Sequence, residues 1–502
     1  MLFNSVSYLL FLPIVVLAFW RLPHRFRAPL LLVASAYFYM SWFPLYGLML
    51  GGLTLLNYGL GMAIAAIKPA RPLLAKRVLI TGIVLNLFTL AYFKYTDFLI
   101  ESINKILAIS PLETAAQLPM AHILLPLGIS FFVFEFIHYL VDVYKGSVAI
   151  RKPLEFALFP SFFPTQIAGP IKRYQDFVPQ LSKQLKLSVK DVDESIELIL
   201  FGLAKKVLIA DNLAIVVDRC ITHPEGLTGM DALMLLWAFL FQVYFDFSGY
   251  TDIARGSAQL LGFKVPLNFD IPLMSGSITE YWRKWHISLS LWLRDYLFFP
   301  LGGSRGGFWR SSFNSLVTMT LAGLWHGAGI GYVAFGFIHG VYLVAHKIWR
   351  IVVEKEPTKL LLKITATPAF HALGIFLTFN CISLSLIAFR LQKPDLCLAY
   401  GKRLLTMFEP AAYAQAVSPL ALTIPSIEGQ ANFATFPLFM LILIAGQVLA
   451  QINSDRKKAA RGEPVAERGF ARIAKPVYLA ALAIALAIYS PDGTPSFVYF
   501  QF

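Results

Sequence analysis

The chain has 502 residues, of which 57% are hydrophobic and 14% charged, with a mean hydropathy of +0.64; an ordinary soluble domain carries roughly 25% charged residues. That is too little charge to cover a soluble enzyme of this length, and it excludes a disordered chain or a fibrous repeat, so the composition leaves a multi-spanning membrane protein. The 43 Lys and Arg against 29 Asp and Glu, a formal +14, fit basic cytoplasmic loops; with no RNP, finger or helix-turn-helix pattern, no nucleic-acid partner is expected.

Apolar runs long enough to span, with allowance for short tilted ones, fall at about 5–20, 28–43, 47–67, 78–93, 122–143, 195–218, 231–249, 312–328, 331–350, 371–391, 435–451 and 474–490. The first run has no preceding Lys or Arg and no small-residue cleavage site, so it is expected to be a retained span rather than a signal peptide. Arg21, Arg25 and Arg27, and then Lys68 to Arg77, mark two inner loops separated by two spans. The segment 94–121 is mixed in charge and reads as an outer connection, whereas Lys145 to Lys190 and the 452–475 loop are basic and read as inner. The parity closes with about twelve crossings and both termini outside. The segment 392–433 is the one sizeable outer connection. Cys220, Cys381 and Cys397 show no CxxC spacing, so they suggest neither a disulfide framework nor a zinc ribbon.

Two stretches do not read as clean spans. Phe156 to Gly169 is apolar but interrupted by Pro160 and Pro164 and followed by Pro170, which predicts a re-entrant or interfacial element needing protein or water around its backbone. Segment 250–311 is dense in Trp, Arg, Asp and His, and irregular polar backbone beside a membrane core usually lines a cavity.

Tyr244-Phe-Asp-Phe-Ser-Gly-Tyr-Thr-Asp252 ends an apolar run and carries Asp246, Ser248 and Asp252; ionisable groups at membrane depth are costly and are functional candidates. Ser277-Ile-Thr-Glu280 is an S-x-x-E capping box that predicts an amphipathic helix to about Phe298. Glu280 and Lys284 pair at i,i+4 on it, and Trp282, Trp285, Leu289, Trp292 and Tyr296 form an apolar stripe. His286 lies beside that stripe with Ser290 one turn on, and Arg294 and Asp295 follow. His326, in Leu324-Trp-His-Gly327, lies within an apolar run, and His339, in Phe337-Ile-His-Gly340, is the next candidate to line a cavity.

An imidazole can take a proton from a hydroxyl near neutral pH and return it to a leaving group. Each of these readings has a structural counterpart: a polar helix end for the Asp cluster, a belt helix for 277–298, an interhelical hydrogen bond for His326. Gly302-Gly-Ser-Arg-Gly306 matches G-x-S-x-G but follows an aromatic helix end rather than a strand, which argues against a nucleophile elbow. His138 and Asp142 are i,i+4 on an apolar helix, a spacing met more often by a buried hydrogen bond than by a metal pair, and no metal site is expected.

With Tyr92-Phe-Lys-Tyr95, Leu125-Pro-Leu-Gly-Ile-Ser-Phe-Phe132, Tyr139-Leu-Val-Asp-Val-Tyr144, Phe162-Phe-Pro-Thr-Gln-Ile-Ala-Gly-Pro-Ile171, Asn268-Phe-Asp-Ile-Pro272, Trp282-Arg-Lys-Trp-His-Ile-Ser-Leu-Ser290, Pro300-Leu-Gly-Gly303 and Leu324-Trp-His-Gly327, the chain resembles the membrane-bound O-acyltransferase (MBOAT) family nearly end to end. Its nearest branch is the bacterial one containing the alginate O-acetyltransferase membrane subunit. The resemblance implies an all-α polytopic fold: a ring of tilted helices around a central tunnel, with re-entrant and amphipathic helices, and with 312–328 and 331–350 tilted or half-depth.

It implies one membrane-embedded domain over 1–502, with N-terminal spans 1–143, a core 144–350 and C-terminal spans 351–502. His326 matches the family's essential histidine and His286 the second of the pair. The implied function is acetyl transfer from a cytoplasmic donor, acetyl-CoA, for O-acetylation of an exported polysaccharide such as alginate. Acetyl-CoA would be a substrate, with no permanently bound cofactor, and the place would be the bacterial inner membrane. Arg283, Lys284 and Arg294 are candidates for the donor's phosphates on charge alone. The chain carries no Gly-Asp-Ser motif of its own, so an extracytoplasmic SGNH-type acetyltransferase or other polysaccharide-modification partner is expected, beside membrane lipid. Peptidoglycan O-acetylation by the same chemistry, and a transporter or flippase using the same intramembrane Asp and His, are the alternatives.

Overall fold

The computed structural model describes residues 1, 3–109, 117–356, 358–408, 442, 444–449, 482 and 486. The expected runs at 435–451 and 474–490, the 452–475 loop and most of the 392–433 connection lie outside these. Among the described residues the chain divides into two compact units, one of 1–204 and 248–267, the other of 205–247 and 268 onward. Among the described residues there is no β-strand.

The first unit opens with α1 (Val6–Arg21), capped by the Ser5 hydroxyl on the Tyr8 N–H, and α2 (His24–Met40). The helices α3 (Pro44–Ile67) and α4 (Pro72–Ile109) follow. They are clamped by a reciprocal amide pair: buried Asn57 and Asn86 each donate Nδ2 to the other's Oδ1, at 3.1 and 2.7 Å. Such interhelical amide bonds hold helices together where lipid gives no hydrophobic drive.

The expected outer connection from 94 is not formed at that point. The helix continues to Ile109 because no Gly or Pro intervenes between Gly82 and Pro111 and because Glu101 and Lys105 pair at i,i+4. At 1.5 Å per residue, its 38 residues reach about 57 Å, well beyond a hydrocarbon core of about 30 Å.

Next come α5 (Ile129–Lys145) between left-handed Gly128 and Gly146, α6 (Pro153–Ser161), α7 (Tyr174–Leu181) and α8 (Val189–Leu203). The Pro-broken segment is a nine-residue helix followed by turns, buried at Phe156 and from Leu158 through Ile171. Its backbone is held from inside the protein. The Phe163 N–H donates to Ser35 Oγ and the Lys172 N–H to Glu135 Oε1, whose carboxylate also meets Lys172 Nζ at 2.9 Å in a fully buried pair. This is how irregular backbone is tolerated at membrane depth.

The run 195–218 is not one regular span. α8 ends at Leu203, a π-helical stretch covers Ala204–Ala210, and α9 (Asp211–Cys220) continues in the second unit. α10 (Gly229–Leu260) is 32 residues long, extends past the expected end at 249, and passes from the second unit into the first. There α8 crosses it on glycines: a Cβ on Gly202 would stand 2.6 Å from the Gly249 carbonyl oxygen, and one on Gly256 would stand 2.8 Å from that of Ser195.

The second unit continues with α11 (Ile278–Lys284), α12 (Ile287–Leu293), a π-turn at Arg294–Phe298, α13 (Gly307–His326) and α14 (Ile330–Lys355). It closes with α15 (Leu360–Thr365), α16 (Pro368–Leu391) and α17 (Pro394–Leu405). By length and apolar content α3, α4, α10 and α16 can each cross a membrane, and α10 is mostly buried inside the protein. α13 and α14 form a hairpin whose backbones touch at Gly323 and Gly336. A Cβ on Gly323 would lie 2.8 Å from the Gly336 Cα and would collide with the Tyr332 carbonyl oxygen. The hairpin sets His326 at its turn.

Candidate active site

The expected single helix from Ser277 to Phe298 is interrupted at His286. Ser277 Oγ accepts from the Glu280 N–H, as the capping box predicts, but Glu280 returns its carboxylate to the Gly276 N–H, one residue earlier. Lys284 pairs with Glu280 at 2.8 Å. The ladder then stops. The Asp270 N–H takes the Lys284 carbonyl, and the Ile287 N–H is taken by the Asn268 carbonyl. A tertiary loop thus supplies bonds the helix would have made. His286 sits between the two short helices at φ 41° and ψ 55°, and Ile271 in the same loop is left-handed at φ 48°. A β-branched residue in that region is a genuine outlier and histidine an uncommon occupant; such strain gathers at functional sites. The apolar stripe survives the break, with Trp285, Leu289 and Trp292 buried.

The second unit brings His286, His326 and His339 to one aromatic cluster. His286 packs edge-on against Phe247 at 4.7 Å, and Trp325 contacts both motif histidines, its ring centre 6.3 Å from His286 and 5.0 Å from His326. The two imidazole centres are therefore no farther apart than the sum of those distances. His326 ends α13 and also meets Phe389 and Phe335, and Phe335 lies 4.5 Å from His339. His286 and His339 are wholly buried and His326 is 7% exposed.

His339 has both ring nitrogens engaged. Trp282 Nε1 donates to Nδ1 at 3.2 Å, so Nε2 carries the hydrogen and donates to Ser385 Oγ at 2.9 Å, which in turn donates to the Ile382 carbonyl. That arrangement locks three elements together.

The other candidates are dispersed. Asp246 is fully buried and forms an ion pair with Lys206, which also meets Asp211, at 2.8 and 2.7 Å. Lys206 and Asp211 are five apart, and the π-helical stretch supplies the i→i+5 spacing that puts them on one face. Ser248 is buried on α10, and Asp252 pairs with Arg255 on the same helix. Ser290 donates to the Trp285 carbonyl, Arg294 pairs with its neighbour Asp295, and Arg283 is exposed. Ser304 is exposed in a multi-glycine turn. Asp142 accepts from Gln175, and no group of three His, Cys, Asp or Glu among the described residues could hold a metal ion.

Sequence reading did not single out Lys206, Asp211, Asn268 or Ser288. A lysine inside the run 195–218 was the signal for the first pair; Asn268 and Ser288 entered only within the motifs Asn268–Pro272 and Trp282–Ser290. A cavity of about 740 Å³ lies among α11, α14, α15 and α16, with His346, Arg350 and His371 in its wall, but neither His286 nor His326 lines it.

The sequence model described as "MBOAT, membrane-bound O-acyltransferase family" matches residues 81–388, a span that contains the whole histidine cluster. The chain is 42% identical to the "Probable alginate O-acetylase AlgI" of Pseudomonas aeruginosa over 69% of its length and 66% of that protein's, just under two thirds. It is 35% identical to the protein of the same description from Azotobacter vinelandii over 100% of both chains. It is 33% identical to the "Peptidoglycan O-acetyltransferase" of Helicobacter pylori, covering 79% of this chain and 78% of the other. With an all-helical apolar fold and two buried motif histidines inside the matched span, the chain belongs to the membrane-bound O-acyltransferase family and is an O-acyltransferase of the membrane.

Proposed function

We propose that this O-acyltransferase moves an acetyl group from cytoplasmic acetyl-CoA to a hydroxyl on the far side of the bacterial inner membrane, for O-acetylation of an exported polysaccharide such as alginate. The observation that carries the reading is that His286 and His326 both contact Trp325 in one buried aromatic cluster within the family-matched span. His326 takes the proton of the acceptor hydroxyl as its oxygen attacks the thioester carbonyl. The tetrahedral intermediate expels the CoA thiolate, which recovers the proton from the imidazolium. His286 orients His326 or shares that proton.

The basic loops support a donor that arrives from the cytoplasmic side, and with those loops inside, about twelve crossings would leave both termini outside. Arg283, Lys284 and Arg294 remain candidates for the donor's phosphates, although Lys284 and Arg294 already have acidic partners. The final acceptor is reached through an extracytoplasmic SGNH-type acetyltransferase. Purified protein in detergent, given acetyl-CoA and a soluble acceptor, is expected to release CoA and acetylate the acceptor. His326→Ala should abolish both without loss of folded protein. Full transfer by that variant, or no turnover of acetyl-CoA by the native protein, would overturn the reading, the latter in favour of a transporter. Peptidoglycan is the second reading, favoured by the Helicobacter relative's description; mass spectrometry of surface polymers with and without this protein separates the two.

A further inference from the structure

The tautomer of His286 is set by one neighbouring atom. Asn268 is fully buried, and its Oδ1 is approached by three groups: the Ser288 N–H at 3.1 Å, Ser288 Oγ at 2.9 Å and His286 Nδ1 at 3.1 Å. An amide's oxygen and nitrogen are normally assigned from their surroundings, and here the surroundings leave one choice. A backbone N–H can only donate, so the atom facing Ser288 is the oxygen. His286 Nδ1 faces that same oxygen, and an unprotonated nitrogen would bring two lone pairs together. Nδ1 therefore carries a hydrogen. In a neutral imidazole the lone pair then resides on Nε2.

The same side chain and its backbone hold the strained turn. The Asn268 carbonyl takes the Ile287 N–H, and the side chain takes the Ser288 N–H, on the two residues that follow left-handed His286. A strained residue persists where its surroundings over-determine it. The titratable group that acts electrostatically on His286 is His326, on α13. Phe247 on α10, Phe269 in the 268–270 loop and Trp325 on α13 supply ring contacts.

We infer that Asn268 is a positioning residue that fixes His286 as the Nδ1–H tautomer, so that Nε2 is the atom that accepts a proton in the transfer step. The inference rests on the proposed function for the meaning of that proton but not for the tautomer itself. It gives His286 one direction of action: Nδ1 is committed to the scaffold, and only Nε2 can share a proton with His326 or the acceptor.

Solid-state nitrogen NMR of the full-length protein, labelled at histidine and assigned with His286→Ala, reads the tautomer without any activity. A protonated Nδ1 and a bare Nε2 are expected, and the reverse pattern overturns the inference even if the enzyme is active.

Kinetics supply the second readout. Asn268→Leu removes the acceptor and should lower kcat about 100-fold with KM little changed. Asn268→Asp keeps an oxygen facing the Ser288 donors, so the turn is retained, but places a carboxylate against Nδ1–H. It should recover much of kcat and move the acidic limb of the pH–rate profile upward by about one pH unit. A residue that merely held the turn would leave that limb in place, so an unshifted profile for Asn268→Asp also overturns the inference, as does native kcat in Asn268→Leu. If His326→Ala keeps full transfer, the proposed function falls while the NMR result still decides the tautomer.

Discussion

The Gly323–Gly336 contact gives a test whose size follows from geometry. In Gly323→Ala the new Cβ would stand 2.8 Å from the Gly336 Cα and nitrogen and would overlap the Tyr332 carbonyl oxygen. Comfortable carbon contacts begin at about 3.5 Å, so α13 and α14 must part by about 0.7–1 Å. Overpacking of this kind costs about 1–3 kcal/mol, here at a helix pair held by close backbone approach.

The displacement is centred one turn before His326. A misplacement of about 1 Å in a reacting group can lower turnover about 100-fold, so activity should fall further than stability does. Gly336→Ala meets the same contact from the other side, with its Cβ 2.9 Å from Gly323. The double variant should therefore lose less than the two single losses combined, because the first opening relieves the second. Gly51→Ala on α3 is the control: nothing lies within 4 Å of its Cβ, and the change should be neutral or stabilising by up to about 1 kcal/mol. Thermal unfolding in detergent and acetyl-transfer rates measure both effects. If Gly323→Ala melts and turns over like Gly51→Ala, the hairpin contact does not set the position of His326.

Four further outcomes are expected. Lys206→Met leaves Asp211 and Asp246 buried together without their cation and should cost about 3–5 kcal/mol, seen as loss of folded yield; Lys206→Met/Asp211→Asn/Asp246→Asn should recover part of it. Lys172→Met should be similarly damaging through buried Glu135, with Glu135→Gln/Lys172→Met again milder. His339→Gln should lower melting temperature more than kcat, because both ring nitrogens hold neighbouring elements; a loss of kcat equal to that of His326→Ala would assign His339 to the chemistry. At the start of α8 the Ser188 hydroxyl and N–H hold the Asp191 carboxyl below its ordinary range. Its contribution is therefore present above the unfolded value of about 3.9 and is lost as pH falls through the lower folded value. The stability gap between native protein and Asp191→Ala should narrow only in that acidic window, as followed by fluorescence in a pH series.

The sequence shows most of the helices and both histidines, because apolar periodicity and a few specific motifs are local signals. It does not show where helices stop being regular. The stripe Trp282–Tyr296 has uniform helical spacing, yet the ladder breaks at His286 because Asn268 and Asp270, distant in sequence, compete for its backbone groups. The π-helical stretch at Ala204–Ala210 was hidden for the same reason: Lys206 is drawn to Asp246, forty residues on. The mixed charges after 94 do not end the helix, because no Gly or Pro occurs there before Pro111. Asp246, Ser248 and Asp252 lie within seven residues of sequence, but Asp246 and Asp252 have different ion-pair partners, since a helix turns successive residues to different neighbours.

The left-handed backbone at position 286 also limits how this site could be redesigned. A substitution there must satisfy two filters at once. The side chain must be able to exchange a proton or form a hydrogen bond with His326 or the acceptor, and the residue must tolerate φ near +41°. Outside glycine, the left-handed region is enriched several-fold in asparagine, aspartate and histidine. Those three are also short or planar polar groups that hydrogen-bond at close range. Lysine, glutamate and tyrosine could supply acid–base chemistry but are not favoured by the turn, while alanine or leucine would meet the strain with no chemistry to offer. A library at this one position should thus recover function in a very small set of residues, with the backbone angle excluding alternatives that chemical reasoning alone would admit.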